Sequence, residues 1–235
     1  MTRPLPVPAD RLAVDLHVHT LYSKDSLSTL EDLIAAAQAV RLSGLAITDH
    51  NQIEGALRLR DAAPFAVIVG EEVQTAEGEI IGLYLERRIP AGLSPEETVA
   101  AIREQEGLVY LPHPCDRIRR STLSQAAIER IIGQVDAVEV INARVLSSRQ
   151  NAEAWELAER HGIAMGAGSD AHTPGELAGA YVLLPLCDLT DASSFGNALR
   201  RARPMGGLNS PLVHLSSTLA RLRKRLKVPS RSVLG

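Results

Sequence analysis

The sequence predicts an α/β protein whose strands close, or nearly close, into a barrel. Three observations carry that reading. Strand-like apolar runs alternate with amphipathic helical segments along most of the chain, the pattern of a parallel sheet with helical crossovers. At 235 residues and 45% hydrophobic, the chain can bury one large core, and single α/β barrels of this length are common. Metal-competent side chains stand at the carboxyl ends of successive strands, the rim on which barrels build their sites.

The first strand carries DLHVHT at residues 15–20. Residues i and i+2 of an extended chain share a face, so His17 and His19 aim at one point. Ser28 and Glu31 read as a capping box opening an Ala/Leu-rich helix to about Leu42, ended by Gly44. Residues 45–48 form a short apolar strand running into Asp49 and His50, and a helix over 54–62 follows. A strand over 65–69 delivers Gly70, Glu71 and Glu72, and another spans 79–85. Ser94, Pro95 and Glu97 supply the N-cap, the first turn and the capping box of a helix to about Gln105. The strand over 108–111 ends at Pro112 and His113. A helix over 124–132 precedes a strand over 137–141 that ends at Asn142. A helix over 148–161 precedes a strand over 163–166, which opens into Gly168, Ser169, Asp170, Ala171 and His172. Seven strands are in view, one short of an eightfold barrel.

The net charge of −3 hides an asymmetry. Nine of the 25 Lys and Arg residues follow Asp191, the last acid, so residues 1–191 carry −12 and residues 192–235 carry +9. Ser210 and Pro211 begin an amphipathic basic helix in which Leu212, Leu215, Leu219, Leu222 and Leu226 form one stripe, before Pro229. The expected organisation is a barrel domain over 1–191 and a basic helical extension over 192–235 packed on or near it. The leucine stripe docks on the acidic barrel, with His214 structural; a dimer contact or an anionic partner is the sharper alternative. Two cysteines make no disulfide framework, the N-terminus lacks the apolar run of a secretory signal, and no run of 18 apolar residues appears. A soluble, cytoplasmic protein with no membrane contact is expected.

His17, His19, His50, His113 and His172, with Glu72 and Asp170, all fall at strand ends, which a barrel gathers on one rim. Buried imidazoles and carboxylates without partners are costly, so core packing does not explain them and a metal cluster does. With DLHVHT at 15–20, TDH at 48–50, GEEV at 70–73, PHP at 112–114 and GSDAH at 168–172, the chain resembles the PHP superfamily, named for polymerase and histidinol phosphatase, over residues 13–185.

The resemblance implies a distorted seven-stranded (β/α)7 barrel, TIM-like, with two or three divalent ions at the rim of a phosphoester hydrolase. It implies that His17, His19, Glu72 and Asp170 hold one ion. Glu72 bridges to a second that His113 completes, and Asp25, His50 and His172 hold a third. Many relatives carry one more histidine on the strand after the glutamate; here Ile81 stands near that place, and Glu79 is the nearest substitute donor. Imidazole and carboxylate ligands suit Zn²⁺, Mn²⁺ or Fe²⁺ alike.

The expected chemistry is attack by a metal-bound hydroxide on a phosphomonoester or nucleotide, with Asp25, His50, His113 and Arg144 as the catalytic group. Arg117, Arg119 and Arg120 follow the His113 loop and Arg144 follows Asn142, where a guanidinium grips phosphate bidentately. Two of the three clustered arginines read as ordinary surface residues. Arg117, Arg144, Ser23 and Lys24 are taken as substrate contacts. Asp15 and Asp49 orient the histidines from behind. Glu71, facing away from Glu72, reads as structural, and His161 as a helix-end residue meeting the dipole. A nuclease acting on short oligonucleotides, a non-catalytic PHP module and an oligomeric state stay open. A metal-dependent amidohydrolase fits less well, because no lysine bridge can be placed.

Overall fold

A computed structural model describes residues 4–210 and Leu222. Nine strands lie in one sheet in the order β7-β6-β5-β4-β3-β2-β1-β8-β9. β1 (Arg11–Val18), β2 (Gly44–Ile47) and β3 (Ala66–Gln74) are parallel, and so are β5 (Leu108–Leu111), β6 (Ala137–Asn142) and β7 (Ala164–Gly168). β4 (Glu79–Leu83) runs antiparallel to both β3 and β5. The expectation of a wholly parallel sheet is therefore corrected to a mixed one. Only residues 75–78 separate β3 from β4. A parallel crossover needs a dozen or more residues, so so short a link forces a hairpin. Gly78 makes that hairpin with φ +143°, where an added Cβ would lie 2.6 Å from the Leu123 nitrogen.

The expected seven strands are joined by two more. β8 (Ala180–Pro185) pairs antiparallel with the first half of β1, and β9 (Arg203–Gly206) pairs antiparallel with β8. Past that half, β1 turns to the chain beyond β7: Asp170 N–H donates to the His17 carbonyl at 2.7 Å and His19 N–H to the Ala171 carbonyl at 2.9 Å. The barrel thus closes at its carboxyl-end rim, while β8 and β9 occupy the gap at the other end.

Within residues 4–210, six α-helices cover the sheet. α1 (Leu30–Val40) is capped by Thr29, one residue after the expected Ser28, and stops at Arg41 in left-handed backbone, with Gly44 opening β2. α2 (Glu54–Ala62) lies as the spacing predicts. α3 (Pro95–Arg103) starts on the expected capping box of Ser94 and Glu97. α4 (Gln125–Ile131) is capped by Ser124, and α5 (Ser148–His161) closes on Gly162 with φ +63°. α6 (Ala192–Leu199) buries Phe195 in the cluster that holds Leu16, Ala46, Ile68 and Leu184. Residues 192–206 are packed on the barrel: α6 buries Phe195, Ala198 and Leu199, and β9, itself no more than half-buried, pairs with β8. The helix expected from Ser210 onward lies outside the described residues, apart from Leu222, which is helical and exposed. No helix among the described residues is long and apolar enough to cross a membrane.

Glu71 is fully buried and faces away from the rim, its Oε2 accepting from Ile89 N–H at 2.8 Å. Burial pushes its carboxyl up from 4.5 to about 7, against the Ile89 hydrogen bond and the charge of Arg88. The folded state then holds a proton the unfolded chain releases, so stability falls as pH rises from about 4.5 through 7. Glu71→Gln removes that penalty. Its melting temperature is expected to gain on wild type between pH 5 and pH 8, by up to about 3 kcal/mol of stability. Parallel melting curves at both values would contradict this.

Candidate metal centre

The rim is assembled by short segments that leave the strands in unusual backbone. His113 and Asp170 hold left-handed conformations, φ 31° and 53°, right after β5 and β7. Strain of this kind persists where the surroundings over-determine it, commonly at functional sites. Asp15 anchors the closing seam. Its Oδ1 accepts from Ser169 N–H at 2.9 Å and its Oδ2 from Ala178 N–H at 3.0 Å, tying β1 to the segment that bears Asp170 and His172. Burial pushes the Asp15 carboxyl up to about 6, although these N–H donors pull it back.

The eight expected ligands converge. His17, His19, Asp25, Glu72, His113, Asp170 and His172 are buried, and His50 lines the opening. His17 Nε2 and His19 Nε2 stand 3.1 Å apart. Glu72 Oε2 lies 3.5 Å from the first of these nitrogens, 3.4 Å from the second and 3.0 Å from His50 Nδ1. Glu72 Oε1 lies 3.1 Å from His113 Nε2. Asp170 Oδ1 is 3.7 Å from His17 Nε2 and 3.4 Å from His19 Nε2. Asp25 Oδ1 is 3.5 Å from both His50 Nε2 and His172 Nε2.

The outward nitrogens of three of these rings are already committed. His17 Nδ1 meets Glu139 Oε1 at 3.1 Å, His19 Nδ1 meets Ser23 Oγ at 3.0 Å, and His172 Nδ1 meets the Asp170 carbonyl at 2.8 Å. Each acceptor draws the ring proton to Nδ1 and turns the Nε2 lone pair inward. Ser23 accepts there because its hydroxyl proton goes to Asp49 Oδ1 at 2.7 Å, and it also takes His50 N–H at 3.1 Å. Asp49, expected to orient the histidines from behind, meets the His19 ring through Ser23.

The donor set fits divalent cations. Glu72 Oε2 and Asp170 Oδ1 are buried and make no hydrogen bond among the described residues, a costly state for charged oxygens. Donor atoms bonded to one ion at about 2.0–2.2 Å lie roughly 3–3.5 Å apart, the spacing seen here. His17, His19 and Glu72 form one close group, and His17, His113 and Asp170, His19, His50 and His172, and His50, Glu72 and Glu79 form others. Burial, then His172, push the His19 ring down to about 3, leaving the neutral base a metal needs. Burial works against the charge of Glu72 and Asp170, yet their neighbours outweigh it: His17 and His50 hold Glu72, and Arg119 and His17 hold Asp170, well below the usual carboxylate range.

Beside this cluster opens a cleft of about 520 Å³ whose walls include Lys24, Arg119, Arg120 and Arg144. Arg144 is buried and paired with Glu176, which also takes His172 N–H at 3.3 Å. Arg117 is not brought to the site: it is exposed, pairs with Glu153 at 2.9 Å and lines a separate groove against α4 and α5. Its expected place falls to Arg119, which bonds Asp170 Oδ2 and lies 3.2 Å from Asp116. Three arginines within four residues look alike in sequence; only the path of the 114–124 loop separates them. Ser23 is buried among the ligands rather than facing the cleft, whereas Lys24 is exposed at its edge. Glu139, which the sequence reading passes over, holds His17 and also accepts His113 N–H at 2.8 Å. A lone acid inside the apolar run AVEVIN was its signal. His161 ends α5, as expected.

The family model described as PHP domain matches residues 15–162, and one described as PHP-associated matches residues 148–204. An uncharacterized protein of Methanocaldococcus jannaschii is 40% identical over 177 residues, 73% of this chain and 70% of its own. A probable phosphatase of Caldicellulosiruptor saccharolyticus is 24% identical over 211 residues, 76% of this chain and 85% of its own. A solved two-domain protein of Bacteroides vulgatus, described as containing a predicted PHP-like metal-dependent phosphoesterase, superposes with a TM-score of 0.71 at 17% identity, over 94% of this chain and 74% of that one.

Proposed function

Because the chain belongs to the PHP domain family, we propose that it is a metal-dependent phosphoesterase acting on a phosphomonoester or nucleotide. The observation that supports this most is the pair of buried, unbonded carboxylate oxygens of Glu72 and Asp170, ringed by inward-turned imidazoles, beside a cleft walled by arginines. Bound there, divalent ions would supply an activated water and neutralise charge on the phosphoryl oxygens. His17, His19, Glu72 and Asp170 hold the most buried position, His113 adds to Glu72, and Asp25, His50 and His172 serve the side facing the cleft.

The chain's own residues account for the rest. Arg119 reaches the cleft fixed by Asp116 and Asp170, so that the N–H groups these carboxylates leave over can meet a phosphoryl oxygen in a set orientation. Arg144, fixed by Glu176, and Lys24 add positive charge at the wall and the edge, which draws an anionic substrate inward. Asp25 Oδ1 lies 3.5 Å from both His50 Nε2 and His172 Nε2, and these rings hold its carboxyl far below the usual range despite burial; it is thus ionised and lines the cleft.

Chelator treatment is expected to abolish phosphate release, and Mn²⁺, Zn²⁺ or Fe²⁺ to restore it. The informative assay offers nucleotides, sugar phosphates, histidinol phosphate and short oligonucleotides to the reloaded protein. Release from monoesters alone supports the proposal. Cleavage of oligonucleotides alone would favour the nuclease alternative, and inertness to every substrate with all metals loaded would leave a non-catalytic PHP module.

A further inference from the structure

The rim contains a carboxylate on the strand where many relatives carry one more histidine. In the β3–β4 hairpin, Glu72 lies opposite Ile81 and Gln74 opposite Glu79. Opposed residues of an antiparallel pair share a face, and i and i+2 do too, so all four side chains project from one face. Ile81 is fully buried in the apolar core and offers no donor. Two residues nearer the rim, Glu79 does. Its backbone N–H is anchored on the Ser121 carbonyl at 2.7 Å.

We propose that Glu79, with Glu72 and His113, makes a carboxylate-rich second metal site, one that favours Zn²⁺ over Mn²⁺ less than the imidazole-rich group of His17 and His19 does. The inference rests on the metal-dependent reading above and deepens it. Both carboxylates lie between the same two rings. Glu72 Oε1 and Glu79 Oε2 face His113 Nε2 at 3.1 and 3.8 Å, and Glu72 Oε2 and Glu79 Oε1 face His50 Nδ1 at 3.0 and 3.7 Å. Two buried carboxylates this close repel one another, and Glu72 Oε2 makes no hydrogen bond among the described residues. A divalent ion between them relieves both costs. His50 is turned so that Nε2 faces Asp25 while Nδ1 faces the two glutamates, which places a polar ring beside the pair. Two carboxylates and one imidazole form a harder donor set than the imidazole-rich group of His17 and His19, and hard oxygen ligands suit Mn²⁺.

The test counts ions on the full chain, stripped with chelator and titrated with Mn²⁺ alone, by elemental analysis and by the electron paramagnetic resonance of coupled Mn²⁺ pairs. Glu79→Gln is expected to weaken one Mn²⁺ per chain by at least about tenfold and to erase the pair signal, with the remaining ions unchanged. Glu79→His, which restores a ligand atom, is expected to recover the stoichiometry with Zn²⁺ now displacing Mn²⁺ more readily than in wild type. An unchanged Mn²⁺ count and signal in Glu79→Gln, or an unchanged metal preference in Glu79→His, overturns the second site and leaves the phosphoesterase reading intact. A wild-type chain that takes up no Mn²⁺ or Zn²⁺ overturns both.

Discussion

Glu72→Gln is expected to lower metal-dependent phosphate release at least about a thousandfold, a loss near 4 kcal/mol of transition-state stabilisation. The substitution keeps the side chain's shape, so packing does not explain the effect. It removes one of the negative charges that draw divalent ions to the rim. It also replaces a carboxylate oxygen with an amide N–H₂ that must face either His113 Nε2 or the nitrogens of His17, His19 and His50, now 3.0–3.5 Å away. No single ligand touches more of the cluster, so ions on more than one side should be lost together, and elemental analysis should show it. Glu71→Gln is the matched control, one residue away in sequence but buried against Ile89 on the opposite face. Activity of Glu72→Gln within about tenfold of wild type would remove Glu72 from the centre.

The contrast between these neighbouring glutamates shows what the sequence made legible. Strand alternation alone separates Glu71 from Glu72, and the same rule pairs His17 with His19. Strand ends are equally readable, which is why His50, His113, Asp170 and His172 can be named before any coordinates. The antiparallel course of β4 was readable locally, from the four-residue link before it, but the other errors depend on contacts distant in sequence. β8 is a plain apolar run whose pairing with β1 spans about 170 residues, and nothing local announces it. Arg119 differs from Arg117 only in where the loop carries it. Glu139 was visible as a misplaced charge, but its task, holding His17 across 122 residues, was not.

Gly168→Ala tests whether the barrel seam and the metal centre are one structure. Gly168 sits where β7 passes β1, and an added Cβ would lie 2.3 Å from His17 Cβ, 2.6 Å from Glu139 Oε1 and 2.9 Å from the His17 backbone nitrogen. Two of these atoms belong to the backbone or its first carbon, so they cannot swing aside as a flexible side-chain end would. The methyl must push β1 from β7 or displace His17 from Glu139. Overpacking of a site that cannot yield costs about 3 kcal/mol or more, or roughly 6–12 °C in melting temperature for a chain this long. The same shift moves His17 Nε2 out of the group it forms with His19 and Glu72, so metal affinity should fall with stability. Gly133→Ala, where an added Cβ meets nothing within 4 Å, should leave both unchanged. If Gly168→Ala melts as wild type does and still takes up its full complement of ions, the close approach of β7 to His17 does not set the geometry of the rim.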